Sequence, residues 1–197
     1  MQKLECNMRM SASVVKLAAA MLAIAVFPIA LPIVAAQTGV SESVIQRQDG
    51  MKAMANAAKT INAMFKDTSP YEAKTFKAAA ETIRGHSGAT LSALFNGSGT
   101  TAGSKASPSI ESERQQFDQM ANDLQIYASA LSVAADGNPH ALGPGTRMRG
   151  REAMTGGPLA KKIDAAREAE SVPAEHSFHL MLQTCTSCHA RFRVKAD

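Results

Sequence analysis

The chain has 197 residues, 45% of them hydrophobic and 19% charged, which suits one folded domain and excludes a disordered chain or a multi-span membrane protein. Its formal net charge is +4, without a dense Lys and Arg patch interleaved with aromatic residues, so nucleic-acid binding is not expected. Three cysteines are too few for a disulfide-rich scaffold.

Residues 1–36 are predicted to form a secretory signal peptide. Basic residues precede an uncharged apolar run, Leu17 to Ala36, which ends in small residues and is followed by the polar Gln37. Cleavage near Ala36–Gln37 would leave a mature chain of residues 37–197 in the periplasm. The alternative is an uncleaved membrane anchor, since a run of this length can span a bilayer. Two prolines within the run argue against a straight spanning helix.

Four segments of the mature chain carry apolar residues at helical spacing. They are Ser41–Phe65, Tyr71–Phe95, Ile110–Ala135 and Pro173–Val194. Gly85 and Gly88 are weak points in the second segment. The sequence has no regular series of short segments with alternating apolar and polar residues, as strands would show, and most connections between the four segments are short. The sequence therefore predicts an all-α protein, an antiparallel four-helix bundle.

Residues 136–171 are predicted to be a long loop insertion in residues 37–197. A connection this long is functional, disordered or a tolerated surface insertion. Glycines and prolines are frequent from Asp136 to Gly157, where we expect a mobile loop, and a short polar helix is predicted from Leu159 to Glu170. We expect trypsin to cut first at three arginines of the insertion, Arg147, Arg149 and Arg151.

The sequence from Cys185 to His189, Cys-Thr-Ser-Cys-His, is the attachment signature of a c-type haem. On a helix, Cys185 and Cys188 project to one side, so their sulfurs can form thioethers to the two haem vinyl groups. His189 can then bind the iron as the proximal ligand. The motif predicts one covalently attached haem c per chain.

Three other interpretations of the two cysteines remain. A redox dithiol of the thioredoxin kind needs a βαβ context, which is not predicted here. A structural zinc site would need further ligands such as His176 or His179, upstream on the same predicted helix. A disulfide fits an exported protein but does not account for His189.

A haem motif near the C-terminus of a four-helix bundle resembles the class II c-type cytochromes, the cytochrome c′ family and its low-spin His/Met branch. The resemblance covers about residues 41–135 and 173–197. Residues 47–51, Arg-Gln-Asp-Gly-Met, match the family's Arg-x-x-x-Met pattern, which faces the haem. Residues 189–193, His-Ala-Arg-Phe-Arg, are similar to its His-x-x-(Phe/Tyr)-(Arg/Lys) ending. The chain departs from the family in residues 136–171, where members usually have a short turn.

The resemblance implies haem attachment at Cys185 and Cys188, a proximal ligand at His189 and Met51 near the opposite haem face. It also implies that Arg47 approaches a haem propionate, where a guanidinium pairs well with a carboxylate. The alternative for Arg47 is a solvated face of the first helix.

Arg193 would stand one turn beyond His189 on the proximal side, or would simply be a cation in the last helical turn. Phe192, Phe117 and Met54 are expected to be ordinary core residues. His86 and His140 are expected to be exposed to solvent.

The expected function is a periplasmic haem protein that carries single electrons between redox partner proteins, with iron bound by His189 and Met51. One alternative is a five-coordinate haem protein that binds NO or CO at an open distal position. Another is an exported helical module without haem. An enzyme is not expected, since no catalytic constellation is evident. We expect no stable membrane association after cleavage, and the resemblance leaves a homodimer open.

Overall fold

The computed structural model describes residues 40–97, 101–149 and 164–194. The predicted signal peptide lies outside these residues, as does the stretch 150–163. The described residues form seven helices: α1 Glu42–Phe65, α2 Ala73–Gly85, α3 Gly88–Ala93, α4 Ser109–Ser112, α5 Arg114–Gly137, α6 Ala165–Ser171 and α7 Ala174–Phe192. No helix among these residues is long and apolar enough to cross a membrane.

Four of these helices, α1, α2, α5 and α7, form the predicted all-α antiparallel four-helix bundle. Helix α1 packs mainly against α2, α2 against α5, and α5 against α7. The short helices α3 and α6 also pack against α5. The prediction of the first helix is confirmed almost to the residue, because its apolar side chains keep a helical period over its whole length.

The second predicted helix, Tyr71–Phe95, is wrong as a single element. It is split into α2 and α3 at His86 and Ser87, and Ser87 is extended. Gly88 follows with φ +60°, a conformation that glycine adopts far more readily than other residues. A side chain at Gly88 would also meet the end of the Gln125 side chain of α5, which would have to move aside.

The third and fourth predicted helices differ from the structure at their ends. The third begins as the separate turn α4 and restarts as α5 after Glu113, whose φ of −118° is not helical. The fourth ends at Phe192, and Arg193 is extended because its backbone pairs with Ala106 of a loop. Pro173 stands just before the first helical residue, where its missing N–H costs nothing.

The insertion is anchored where we expected mobility. The Met148 N–H donates to Oε2 of Glu175 at 2.8 Å, and the Glu175 N–H donates to the Thr146 carbonyl at 2.9 Å. Thr146 is buried. The Arg147 guanidinium donates to the Phe65 carbonyl and to Asp67. Residues 146–148 thus join the C-terminal end of α1 to the N-terminal end of α7, and these contacts argue against a mobile loop at this point.

The predicted polar helix Leu159–Glu170 is described only in its second half, as α6. Asp164 caps this helix, since its carboxylate accepts from the N–H groups of Ala166 at 3.1 Å and Arg167 at 3.4 Å. The Tyr127 hydroxyl of α5 donates to Glu168 at 2.8 Å, which ties α6 to the bundle.

Buried side chains form two hydrophobic clusters, which we call the large and the small cluster. The large cluster lies among α1, α2, α5 and α7, and its fully buried members include Ile61, Phe76, Ile83, Leu131 and Phe178. The small cluster consists of Leu91, Phe95, Ile110, Phe117, Ala121 and Phe192. Each buried aromatic or aliphatic side chain contributes about 1.5–3 kcal/mol, so these clusters supply most of the stability.

Candidate functional site

Helix α7 carries Cys185, Cys188 and His189 at the boundary between the two clusters. Cys185 packs against the large cluster and Cys188 against the small one. Both are free thiols, half-buried, while Thr186 and Ser187 between them are exposed. The helical spacing of three therefore turns both sulfurs inward, as the motif predicted.

Burial raises the pKa of both thiols. The pKa of Cys188 rises to about 11, mainly through burial and secondarily through the neighbouring Cys185. The pKa of Cys185 is raised by burial as well. Both groups are thus protonated at neutral pH and behave as small apolar side chains.

Two cavities open between α1 and α7, with volumes of about 440 and 430 Å³. Met51, Cys188 and His189 line both of them, so these three residues mark the place where the cavities meet. Cys185 lines the second cavity. Met51 is half-buried and packs against both hydrophobic clusters.

The two cavities differ in chemistry. The second is lined mostly by apolar side chains, including Met54, Met120, Leu124, Met181 and Leu182, and it has one cation, Lys59, among its described lining residues. The first has an apolar floor of Val44, Phe117 and Phe192, and four cations also line it: Arg47, Lys52, Lys105 and Arg193. No carboxylate lines the first cavity among the residues that the structure describes, so an occupant with anionic groups would find complementary charge there.

Arg47 is buried, with 5% of its surface exposed, so the interpretation as a solvated face is wrong. Its Nη1 donates to the Leu94 carbonyl at 3.2 Å, and its Nη2 donates to Oγ of Ser104 at 3.3 Å. The guanidinium also lies 4.4 Å from the centre of the Phe95 ring. Burial lowers the pKa of Arg47, but an arginine of this kind remains charged at neutral pH. The site thus holds a fixed positive charge one helical turn from Met51.

His189 keeps an exposed surface and also borders both cavities, and its pKa is lowered, mainly by the partial burial of the ring and further by the charge of Arg193. A lowered pKa keeps the imidazole neutral, which is the form that can bind a metal ion. Arg193 lies just beyond the end of α7 rather than in its last turn, is exposed, and borders the first cavity.

The residues expected to be core are core, and they also form cavity walls. Met54, Phe117 and Phe192 are buried, and each borders one of the cavities. His86 and His140 are exposed, as predicted. The sequence analysis missed Met181 and Ser104. Met181 lies four residues before Cys185, so its position on the same helical face could have revealed it, whereas the loop residue Ser104 gives no periodic signal.

The arrangement fits a covalently attached haem. Two inward thiols, a neutral imidazole, apolar walls and a buried guanidinium converge on adjoining cavities of a size usual for ligand sites. Among residues 40–97, 101–149 and 164–194, no three His, Cys, Asp or Glu side chains group as a metal cluster. The fold and the motif define a c-type haem protein built on a helical bundle.

The chain belongs to the cytochrome c′ family, since the family model Cytochrome C′ matches residues 42–150. Members of this family carry covalently attached haem c. The matched stretch ends before Cys185, so the attachment motif is evidence in addition to the match. A comparison with curated proteins gave no match.

Solved cytochromes c′ share the fold. The protein from Rhodopseudomonas palustris is 23% identical with a TM-score of 0.54, covering 80% of this chain and 99% of its own. That from Thermochromatium tepidum is 22% identical with a TM-score of 0.53, covering 78% and 95%. A nitric oxide complex of a mutant cytochrome c′ from Alcaligenes xylosoxidans is 22% identical with a TM-score of 0.52, covering 78% and 94%.

Proposed function

We propose that this protein is an exported electron carrier with haem attached to Cys185 and Cys188 and iron bound by His189 and Met51. The observation that carries the proposal is the position of Met51, which borders both cavities together with Cys188 and His189. A thioether on α1 and an imidazole on α7 thus border the same space, which supports axial ligation from two helices.

Haem c, when bound, supplies an iron centre that changes its charge by one electron. The protein supplies attachment, burial and ligands. The inward position of Cys185 and Cys188 supports two thioether bonds on one face of α7. The lowered pKa of His189 favours the neutral ring, which supports ligation through a ring nitrogen, because protonation of that nitrogen would block the bond.

Ligation by Met51 suits electron transfer for two reasons. A methionine opposite a histidine raises the reduction potential. The packing of Met51 against both clusters also restrains its side chain, so the same ligands can be kept in both oxidation states. Arg47 supports the same role, since a buried guanidinium beside the first cavity would neutralise a haem propionate.

Replacement of the cysteines tests the attachment. In the C185A/C188A variant, haem should be lost on acid-acetone extraction and on denaturing gels, whereas the unmutated protein should keep it. Covalent haem in the double variant would contradict the assignment of these sulfurs.

Spectra of Met51→Ala beside Met54→Ala test the sixth ligand. Met54 is a matched control, because it lies one turn further along α1 and borders only the second of the two cavities described. The unmutated ferric protein and Met54→Ala should be low-spin with a weak sulfur-to-iron band in the red, and Met51→Ala should lose this band. A high-spin unmutated protein with rapid CO uptake would instead favour the five-coordinate protein that binds NO or CO.

Export is part of the same proposal. Mass analysis of the holoprotein from an exporting host should find a mature N-terminus at or near Gln37. An intact segment Leu17 to Ala36 in the holoprotein would favour a membrane anchor. Size-exclusion chromatography across a range of concentrations should show whether the chain forms a homodimer.

A further inference from the structure

Residues 101–107, which follow α3 and lead into α4, contact both helices of the site. Three of them, Ser104, Lys105 and Ala106, line the first cavity. We call this segment the clasp. Its contacts with α1 and with the C-terminal end of α7 are hydrogen bonds of ordinary length, and the Ser104 hydroxyl accepts from Arg47 of α1 and from Ala106 within the clasp.

On the α1 side, two side chains hold the clasp. Nε2 of Gln48 donates to the Gly103 carbonyl at 3.1 Å, and Nη2 of Arg47 donates to Oγ of Ser104 at 3.3 Å. Gly103 has φ +79°, and Val40 packs so closely against it that a side chain there would collide. The turn at Gly103 therefore brings the clasp backbone against the start of α1.

On the α7 side, the contacts are made by the backbone. The Ser107 N–H donates to the Phe192 carbonyl at 2.8 Å, and the Val194 N–H donates to the Lys105 carbonyl at 2.9 Å. These bonds form the isolated β-bridge between Ala106 and Arg193. The Ala106 N–H also donates to Oγ of Ser104 at 3.1 Å, so the Ser104 hydroxyl joins the α1 contact to the α7 contact.

The two helices need such a connection. Helix α1 makes its extensive contacts with α2, and α7 with α5, while the two cavities occupy the space that α1 and α7 both line. Met51 on α1 and His189 on α7 border this space. Any change in the gap between the helices changes the room between these two residues.

We propose that the clasp sets the gap between α1 and α7, with Gln48 and Ser104 as positioning residues that govern access of a sixth ligand to the iron. The inference rests on the proposed function, because it assumes that the iron lies between Met51 and His189. It goes further in giving control of coordination to a loop outside the haem motifs.

The experiment compares holoproteins that carry Gln48→Leu, Ser104→Ala or both with the unmutated protein. The double variant loses three hydrogen bonds, that of Gln48 with Gly103 and those of Ser104 with Arg47 and Ala106. The association rate of CO with the ferrous form should rise by about three- to tenfold in this variant, which corresponds to part of the net free energy of these bonds. Exchange of the Ser107 and Val194 amide hydrogens should also accelerate, although neither residue is substituted. Each single variant should shift both measurements in the same direction by a smaller factor.

Ser107→Ala is the matched control. This serine lies in the same segment, but its hydroxyl contacts Ser109 at 2.8 Å within its own turn. Ser107→Ala should therefore have the same CO association rate as the unmutated protein. Ser104→Thr should keep the slower rate of the unmutated protein, because threonine keeps the hydroxyl that Ser104→Ala removes. Covalent haem content and the helical circular dichroism of every variant should stay unchanged, and if the double variant fails to fold, the single variants decide the question.

Unchanged amide exchange in Gln48→Leu and Ser104→Ala would overturn the clasp. If amide exchange accelerated in these variants while their CO association rate equalled that of the Ser107→Ala control, the proposed control of iron coordination by the clasp would be overturned. A high-spin, five-coordinate unmutated protein would contradict ligation by Met51, but the ratio of CO rates between variants would still test the clasp. The two failures are therefore distinguishable.

Discussion

Replacement of Arg147 by alanine should destabilise the protein, although the sequence places this residue in a glycine-rich insertion. The Arg147 guanidinium donates to the Phe65 carbonyl and to the Asp67 carboxylate, the latter at 2.6 Å, and it lies 5.7 Å from the Phe65 ring centre. Loss of these contacts would release the insertion from the C-terminal end of α1.

The expected cost follows from the exposure of the groups. The Arg147 side chain is 27% exposed and that of Asp67 is 81% exposed, so the ion pair itself contributes little. The charged hydrogen bond to the Phe65 carbonyl and the ring contact contribute more, and we expect a total loss of about 1–2 kcal/mol. For a domain of this size, that corresponds to a fall in melting temperature of about 3–6 °C.

Urea unfolding of Arg147→Ala and Arg167→Ala measures the effect. Arg167 is a matched control, since it is an exposed arginine on α6. The midpoint should fall in Arg147→Ala at an unchanged slope, because the surface exposed on unfolding stays nearly the same. Tryptic cleavage after Arg147 in the unmutated protein should be slow. If both variants had free energies of unfolding within about 0.5 kcal/mol of that of the unmutated protein, the anchoring of residues 146–148 would be refuted.

Two further predictions concern the bundle. Gly88→Ala should lower the free energy of unfolding measured in urea by about 1–2 kcal/mol, because φ +60° is unfavourable for alanine and its Cβ would meet Gln125. The control Gly85→Ala should be neutral or stabilising, and equal effects of the two substitutions would contradict this account. The Glu81 carboxylate accepts a hydrogen bond from Ser132 at 2.6 Å and pairs with Arg84, and these two contacts hold the pKa of Glu81 below its usual 4.5. A carboxylate with a depressed pKa stabilises the folded state when the pH is above its pKa in the unfolded chain, and this stabilisation is lost as the pH falls through its pKa in the folded state. Stability should thus decrease less in Glu81→Gln than in the unmutated protein between about pH 6 and pH 3, and equal decreases would show that Glu81 does not contribute.

The four main helices could be predicted from the sequence because each has a long apolar period. The sequence marked Gly85 and Gly88 as weak points, but it did not show that the helix breaks there, because a break depends on the packing around single positions. Gly88 breaks the second predicted helix through a positive φ and a close contact with a distant residue, Gln125. The anchoring of the insertion depends on a similar long-range contact, between Arg147 and Phe65.

The candidate site shows the same division between local and long-range information. The haem motif is local, since Cys185, Cys188 and His189 lie on two turns of one helix. The burial of Arg47 depends on the Leu94 carbonyl, the Phe95 ring and Ser104, which no spacing within α1 reveals. A charged residue on an amphipathic helix is usually solvated, so the sequence alone left both interpretations open.

Gly50 connects the local motif on α1 with the bundle. It lies between Arg47 and Met51 and is buried against α2, where an added Cβ would stand 3.1 Å from Nδ1 of His86. A larger residue would require the His86 side chain or α1 itself to shift by a few tenths of an ångström. Because α1 is a rigid helix, the face that bears Gly50 and the face that bears Arg47 and Met51 turn together. The absence of a side chain at Gly50 therefore lets α1 approach the end of α2 in the rotation at which Met51 borders both cavities.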